Sequence, residues 1–135
     1  MDRRKSVNNL KTGGFINMEK EEVEEQLEIA KKSMGFIPEI QQLVGEYAPQ
    51  WFKLFRDSDE ALWTDTALPA KIKVLMALAV VAGRLCPDCA EAQMKSAINH
   101  GATKEEILDT LGVVYVTAGA PGVNVCKNAM RKFLK

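Results

Sequence analysis

Residues 69–89 read PAKIKVLMALAVVAGRLCPDC. Pro69 suits the opening of a helix. After it, Ile72, Leu75, Met76, Ala79, Val80 and Val81 leave few polar positions, so the pattern predicts a helix to about Leu85 that is buried nearly all round. Gly83, near its end, leaves room for close packing. Pro87 costs nothing at a first helical position, so a second helix is expected from about Cys86 to Asn99, with Gly101 as its stop. Two helices in direct succession, with no alternating strand pattern or hairpin turn anywhere in the chain, predict an all-α fold of about six to seven helices.

Downstream, Thr103-Lys104-Glu105-Glu106 is a capping-box pattern. It precedes an amphipathic helix with Ile107, Leu108, Leu111, Val114, Tyr115 and Ala118. Gly119-Ala120-Pro121-Gly122 breaks it, and a last helix carries Val125, Ala129, Met130, Phe133 and Leu134. Upstream, Val23, Leu27, Ala30 and Met34 share one face of a helix that ends at Gly35. A second helix starts near Pro38 with Ile40, Leu43, Val44 and Tyr47 expected inward, and Pro49 should end or kink it. Trp51, Phe52, Leu54 and Phe55 suggest a compact cluster on a short helix, Asp57-Ser58-Asp59 a turn, and Leu62 and Trp63 precede another polar bend. Residues 1–17 are polar, aperiodic and read as a flexible leader, followed by one helical domain over 18–135.

Composition narrows the function. A chain of 135 residues suits one domain with a sizeable core. Eighteen Lys and Arg balance eighteen Asp and Glu, so no basic surplus exists for phosphates, and nucleic acid is not an expected partner. Zero net charge does little to keep copies apart, which is compatible with a homo-oligomer. Basic Met1-Asp2-Arg3-Arg4-Lys5 lacks the apolar core of a signal peptide, and Lys73 and Arg84 leave too short an apolar run between them to span a bilayer. Three cysteines argue against a secreted disulfide framework. The expectation is a cytoplasmic protein with no membrane partner.

Cys86-Pro87-Asp88-Cys89 carries the chemistry. Cysteines three apart at a helix start share a face, at a spacing compatible with a disulfide between them. Unpaired N–H groups and the helix dipole favour a thiolate there, most at Cys86. Asp88 and burial oppose ionisation, so sequence leaves the net sign open. Redox chemistry is weighed against metal binding and plain packing. The pair lacks the second half of a tetrahedral zinc site. Cys126 and His100 would complete one without a recognised spacing, so no metal and no cofactor is expected, and Cys126 reads as a small core residue. Dithiol chemistry needs proton traffic, for which the candidates are Asp88, Glu91, Gln93 and His100. Gln93, one turn after Cys89, cannot titrate, and His100 lies about three turns away.

The order Leu68-Pro69-Ala70-Lys71-Ile72-Lys73, an aliphatic helix, Cys86-Pro87-Asp88-Cys89 and then His100-Gly101-Ala102-Thr103-Lys104-Glu105-Glu106-Ile107 resembles the carboxymuconolactone decarboxylase superfamily. Within it the CxxC is similar to the alkyl hydroperoxidase D branch. The resemblance covers about residues 66–122. It implies helical subunits assembled as trimers or hexamers. It also implies a thiol-based peroxidase, an antioxidant activity of peroxiredoxin type, or a disulfide reductase. Carried over, Cys89 would attack peroxide and Cys86 would resolve the sulfenic acid. The implied partners are a small peroxide or disulfide substrate and a dithiol protein or small thiol as reductant. The chain departs from the branch at three relay positions: Val74 stands for a glutamate, Asp88 for a histidine before the second cysteine and Gln93 for a histidine after it. Two alternatives follow: a non-catalytic oligomeric scaffold lacking the proton relay, or a small lactone or acid decarboxylase.

Overall fold

The structure, a computed structural model, describes residues 19–135. The expected leader, residues 1–17, lies outside them. Seven helices and no strand are present among the described residues: α1 Lys20–Met34, α2 Glu39–Tyr47, α3 Pro49–Leu62, α4 Ala70–Gly83, α5 Pro87–Asn99, α6 Lys104–Asn124 and α7 Lys127–Phe133. The all-α expectation holds.

Local signals set most ends. Glu22 accepts the Glu19 N–H at 2.9 Å and opens α1, and Gly35 closes it at φ 80°. Pro49 opens α3 instead of merely ending α2. At α6, Thr103 Oγ1 accepts the Glu106 N–H at 3.1 Å and Glu106 Oε2 accepts the Thr103 N–H at 2.8 Å, the capping box seen in the sequence. Gly119, at φ 76° and ψ −177°, kinks α6 in a region of backbone space that only glycine enters freely.

The core lies between α4 and α7. Val74, Leu78 and Ala82 of α4 meet Ala90, Met94 and Ala97 of α5, Ile107, Leu111 and Val114 of α6, Ala129 of α7 and Cys126 just before it. Leu78 and Met94 are fully buried, and each such side chain contributes about 1.5–3 kcal/mol. Helices α4 and α5 form an antiparallel pair. Helix α6 runs parallel to α4: Lys71 pairs with Glu106 at 2.8 Å near their starts, and Gly83 meets Ala118 near their ends. The Lys71 ammonium, then the Thr103 N–H, hold the Glu106 carboxyl below its usual range. A lowered carboxylate pKa places this stabilisation above the unfolded value, and it is lost as pH falls through the folded one.

The N-terminal helices depart from expectation. In α2 the buried residues are Gln41 and Gly45, while Ile40, Leu43 and Tyr47 are exposed. Gly45 explains the rotation: a Cβ there would lie 2.7 Å from Val23 and 3.7 Å from Phe52, so this face is the one that α1 and α3 can approach closely. Of the expected aromatic cluster only Phe52 is buried; Trp51, Leu54 and Phe55 face outward. The expected turn at Asp57-Ser58-Asp59 is helix. Lys53–Asp57 at 2.9 Å and Arg56–Asp59 at 2.7 Å span successive turns there, and Trp63 Nε1 donates to Asp59. On α1, Val23 and Ala30 are buried and Leu27 half-buried; the Met34 side chain lies outside the described residues. Helix α4 is not buried all round, since Met76 and Val80 are exposed.

The turn from α4 to α5 is a Schellman motif. The Leu85 N–H donates to Ala82 O at 3.0 Å and the Cys86 N–H to Val81 O at 3.2 Å. Leu85 occupies the left-handed position at φ 60°, where glycine is usual, with its side chain 52% exposed. Opposite outcomes follow at two positive-φ positions. A left-handed leucine costs about 1–2 kcal/mol and the added freedom of an unfolded glycine about 0.4–1, so Leu85→Gly should raise stability in urea by about 0.5–1 kcal/mol. Gly119→Ala should lower it by about 1–3 kcal/mol in the same assay. A destabilised Leu85→Gly would contradict this account of the turn.

Candidate functional site

The Schellman turn delivers Cys86 to the N-cap of α5, at φ −103° and ψ 98°, with Pro87 at the first helical position. Its backbone oxygen accepts the Ala90 N–H at 2.9 Å, and its Sγ accepts the Cys89 N–H at 3.3 Å. The cysteine therefore serves as its own helix's cap, a role usually held by an oxygen side chain. Cys86 and Cys89 are joined by a disulfide, with Cα atoms 5.3 Å apart. Cys86 is half-buried, and Cys89 with its neighbours Pro87 and Asp88 is exposed. The pair sits where α4 ends and α5 begins, beside the kinked end of α6, where a Cβ added to Gly122 would lie 3.7 Å from Ala82 O.

The four residues expected to move protons are not gathered around the sulfurs. Asp88 is beside them but points into solvent. Glu91 is turned toward α7, where its Oε1 accepts from Lys132 Nζ at 2.7 Å. Gln93 is one turn beyond Cys89 on the same face and half-buried, and it ends in an amide. His100 closes the opposite end of α5, about 16 Å along the axis from Cys89 at 1.5 Å per residue. Its Nδ1–H donates to Ser96 O at 2.8 Å, which leaves Nε2 as the acceptor in the neutral ring. It lines an open depression of about 570 Å³ with Trp63, Asp65 and Lys71, away from the cysteines. Val74 is fully buried in the core.

Cys126 is also fully buried, near the start of α7, with its thiol toward Gly122 O at 3.8 Å. Burial pushes its pKa up, so it is a packing residue and a poor nucleophile. A Cys₃His set is not assembled, and no group of three metal-ligating side chains exists among the described residues. No helix among them is long and apolar enough to cross a membrane.

Two features of the site were not anticipated. Leu85 stands exposed next to the pair in a left-handed conformation, and nothing in Gly83-Arg84-Leu85 signals it because the usual glycine falls two positions early. Lys132 removes Glu91 from the site from 41 residues downstream, a pairing with no local signature.

The same architecture is found in a crystal structure from Burkholderia xenovorans LB400, provisionally assigned as a carboxymuconolactone decarboxylase. It superposes with a TM-score of 0.72 at 21% identity, over 84% of this chain and 93% of that one, a likeness of fold. An uncharacterized protein of Methanocaldococcus jannaschii is 33% identical over 102 residues, 75% of this chain and 98% of its own. An uncharacterized protein of Cupriavidus necator is 29% identical over 90 residues, 67% of this chain and 80% of its own. The profile of the carboxymuconolactone decarboxylase family matches residues 49–132, from the start of α3 almost to the end of α7. With more than half of its length inside that match, the chain belongs to the carboxymuconolactone decarboxylase family.

Proposed function

We propose that this chain is a thiol-dependent oxidoreductase in which Cys86 and Cys89 cycle between dithiol and disulfide while reducing a small peroxide or disulfide. The observation that carries the reading is the sulfur pair itself: bonded, at the first turn of α5, with Cys89 open to solvent. Donors of the helix N-terminus favour a thiolate at such a place, and in the oxidised pair the exposed Cys89 sulfur gives a reductant thiol a point of entry. An oxidised pair returns to the dithiol by exchange with a dithiol protein or small thiol.

Intact mass after mild oxidation should show the loss of two hydrogens, confined to the peptide that holds both sulfurs, with reversal by a reductant. Cys86→Ser and Cys89→Ser should each abolish that change and reduce dithiol-driven turnover by at least about 100-fold, a size that marks loss of a reacting group. A pair that stays reduced under oxidant would instead favour the scaffold reading, which the missing relay at Val74, Asp88 and Gln93 supports. Activity toward a lactone or small acid that survives cysteine blockade would favour decarboxylation.

We also propose self-assembly through α6. No charged residue occurs between Asp109 and Lys127, and Val113, Tyr115 and Val116 are exposed, Val116 at 84%. A helix apolar on more than its core face needs a second partner, and a near-neutral chain offers little repulsion against a copy of itself. A trimer or hexamer is expected by light scattering. Val116→Glu should lower the assembly mass with helical content unchanged, and a monomeric wild-type chain would contradict the proposal.

A further inference from the structure

Reducing a peroxide and reducing a disulfide ask different things of a dithiol. Both start from a thiolate. A peroxide then expels alkoxide or hydroxide, anions of acids about as weak as water, so a proton must arrive as the O–O bond breaks. A disulfide expels a thiolate, whose conjugate acid has a pKa of about 8.5, and it leaves without an acid's help.

The site meets the first requirement and not the second. Cys86 Sγ already accepts an N–H bond from Cys89 at 3.3 Å, at the N-terminus of α5 where the helix dipole favours negative charge. Apart from the Cys89 thiol itself, no proton donor is gathered at the pair among the described residues. Glu91 is paired with Lys132, His100 is at the far end of α5, and Asp88 is an exposed carboxylate that also repels an oxyanion. Gln93 donates hydrogen bonds and keeps its protons. Arg84, before the turn, does the same as a guanidinium. The neighbouring end of α6, Ala118-Gly119-Ala120-Pro121-Gly122, has no titratable side chain.

We propose that this site exchanges electrons with disulfides and is a poor reducer of peroxides, with Cys86 as the attacking thiolate. The inference rests on the redox reading above and narrows its substrate. Cys86 S⁻ attacks one sulfur of a disulfide RSSR. The S–S bond breaks, RS⁻ leaves and a Cys86–S–S–R mixed disulfide forms. Cys89 gives its proton to water and attacks the Cys86 sulfur, closing the Cys86–Cys89 bond and expelling the second RS⁻. Two electrons pass from the protein to RSSR. The two RS⁻ take up the two protons that Cys86 and Cys89 lost, so the products are protein disulfide and two RSH. The assignment of Cys86 as nucleophile reverses the one that family resemblance implies.

The experiment measures the reduced full-length chain against 2-hydroxyethyl disulfide and against cumene hydroperoxide, each rate divided by that of dithiothreitol at the same pH. The disulfide acceleration should exceed the peroxide acceleration by at least about tenfold, because only the disulfide leaves without an acid. Cys89→Ser should still form the mixed disulfide at Cys86 near the wild-type rate, while Cys86→Ser should slow the first step by at least about tenfold through loss of the stabilised thiolate. Peroxide acceleration equal to or above that of the disulfide would overturn the substrate assignment and leave the redox reading standing. A Cys86→Ser variant as fast as wild type would overturn the assignment of the thiolate. If neither oxidant outpaces the free dithiol, the redox reading fails and this inference with it.

Discussion

The reversal of the chain between α4 and α5 is the constraint on which the rest depends. Two backbone hydrogen bonds, from Leu85 to Ala82 and from Cys86 to Val81, satisfy carbonyls that the end of α4 would otherwise leave unpaired. The turn lays α5 antiparallel on α4, so that Ala90, Met94 and Ala97 face Val74, Leu78 and Ala82 across one core. It also fixes Cys86 at the start of a new helix. One piece of backbone thus sets both the packing of the domain and the environment of its sulfurs. A leucine held at φ 60° with its side chain in water is a cost kept at that junction.

From this geometry follows an imbalance in the chemistry. Charge stabilisation for a thiolate comes from backbone donors, which every helix start provides. Proton delivery has to come from side chains, and here those side chains are committed elsewhere or absent. Glu91 ties α5 to α7, His100 closes the other end of α5, and Val74 fills the core. In the proposed redox cycle no carboxylic acid or imidazole of the described residues would deliver a proton to the sulfurs. That combination suits leaving groups that are stable as anions.

What could be read from the sequence was what acts within a turn of helix. Pro87 after Cys86, the Thr103–Glu106 box and the stops at Gly35 and Gly101 each name their own partners within a few residues, and the structure has them all. The inward face of α2 differs from the stripe that Ile40, Leu43 and Tyr47 suggest, because which face is buried is decided by how closely Val23 of α1 and Phe52 of α3 approach Gly45. The same holds at the site. The sulfur pair was visible as a motif. The removal of Glu91 by Lys132 depends on how α7 packs, and the left-handed Leu85 on where α4 stops, and neither leaves a local trace.

The central claim is that the two sulfurs form one reversible two-electron couple. Equilibrating the protein across a series of reduced-to-oxidised glutathione ratios and trapping free thiols tests it most directly. The account predicts a single transition in which Cys86 and Cys89 change together while buried Cys126 remains a thiol. A pair that stays reduced at every ratio, or thiols lost singly and not in concert, would contradict it.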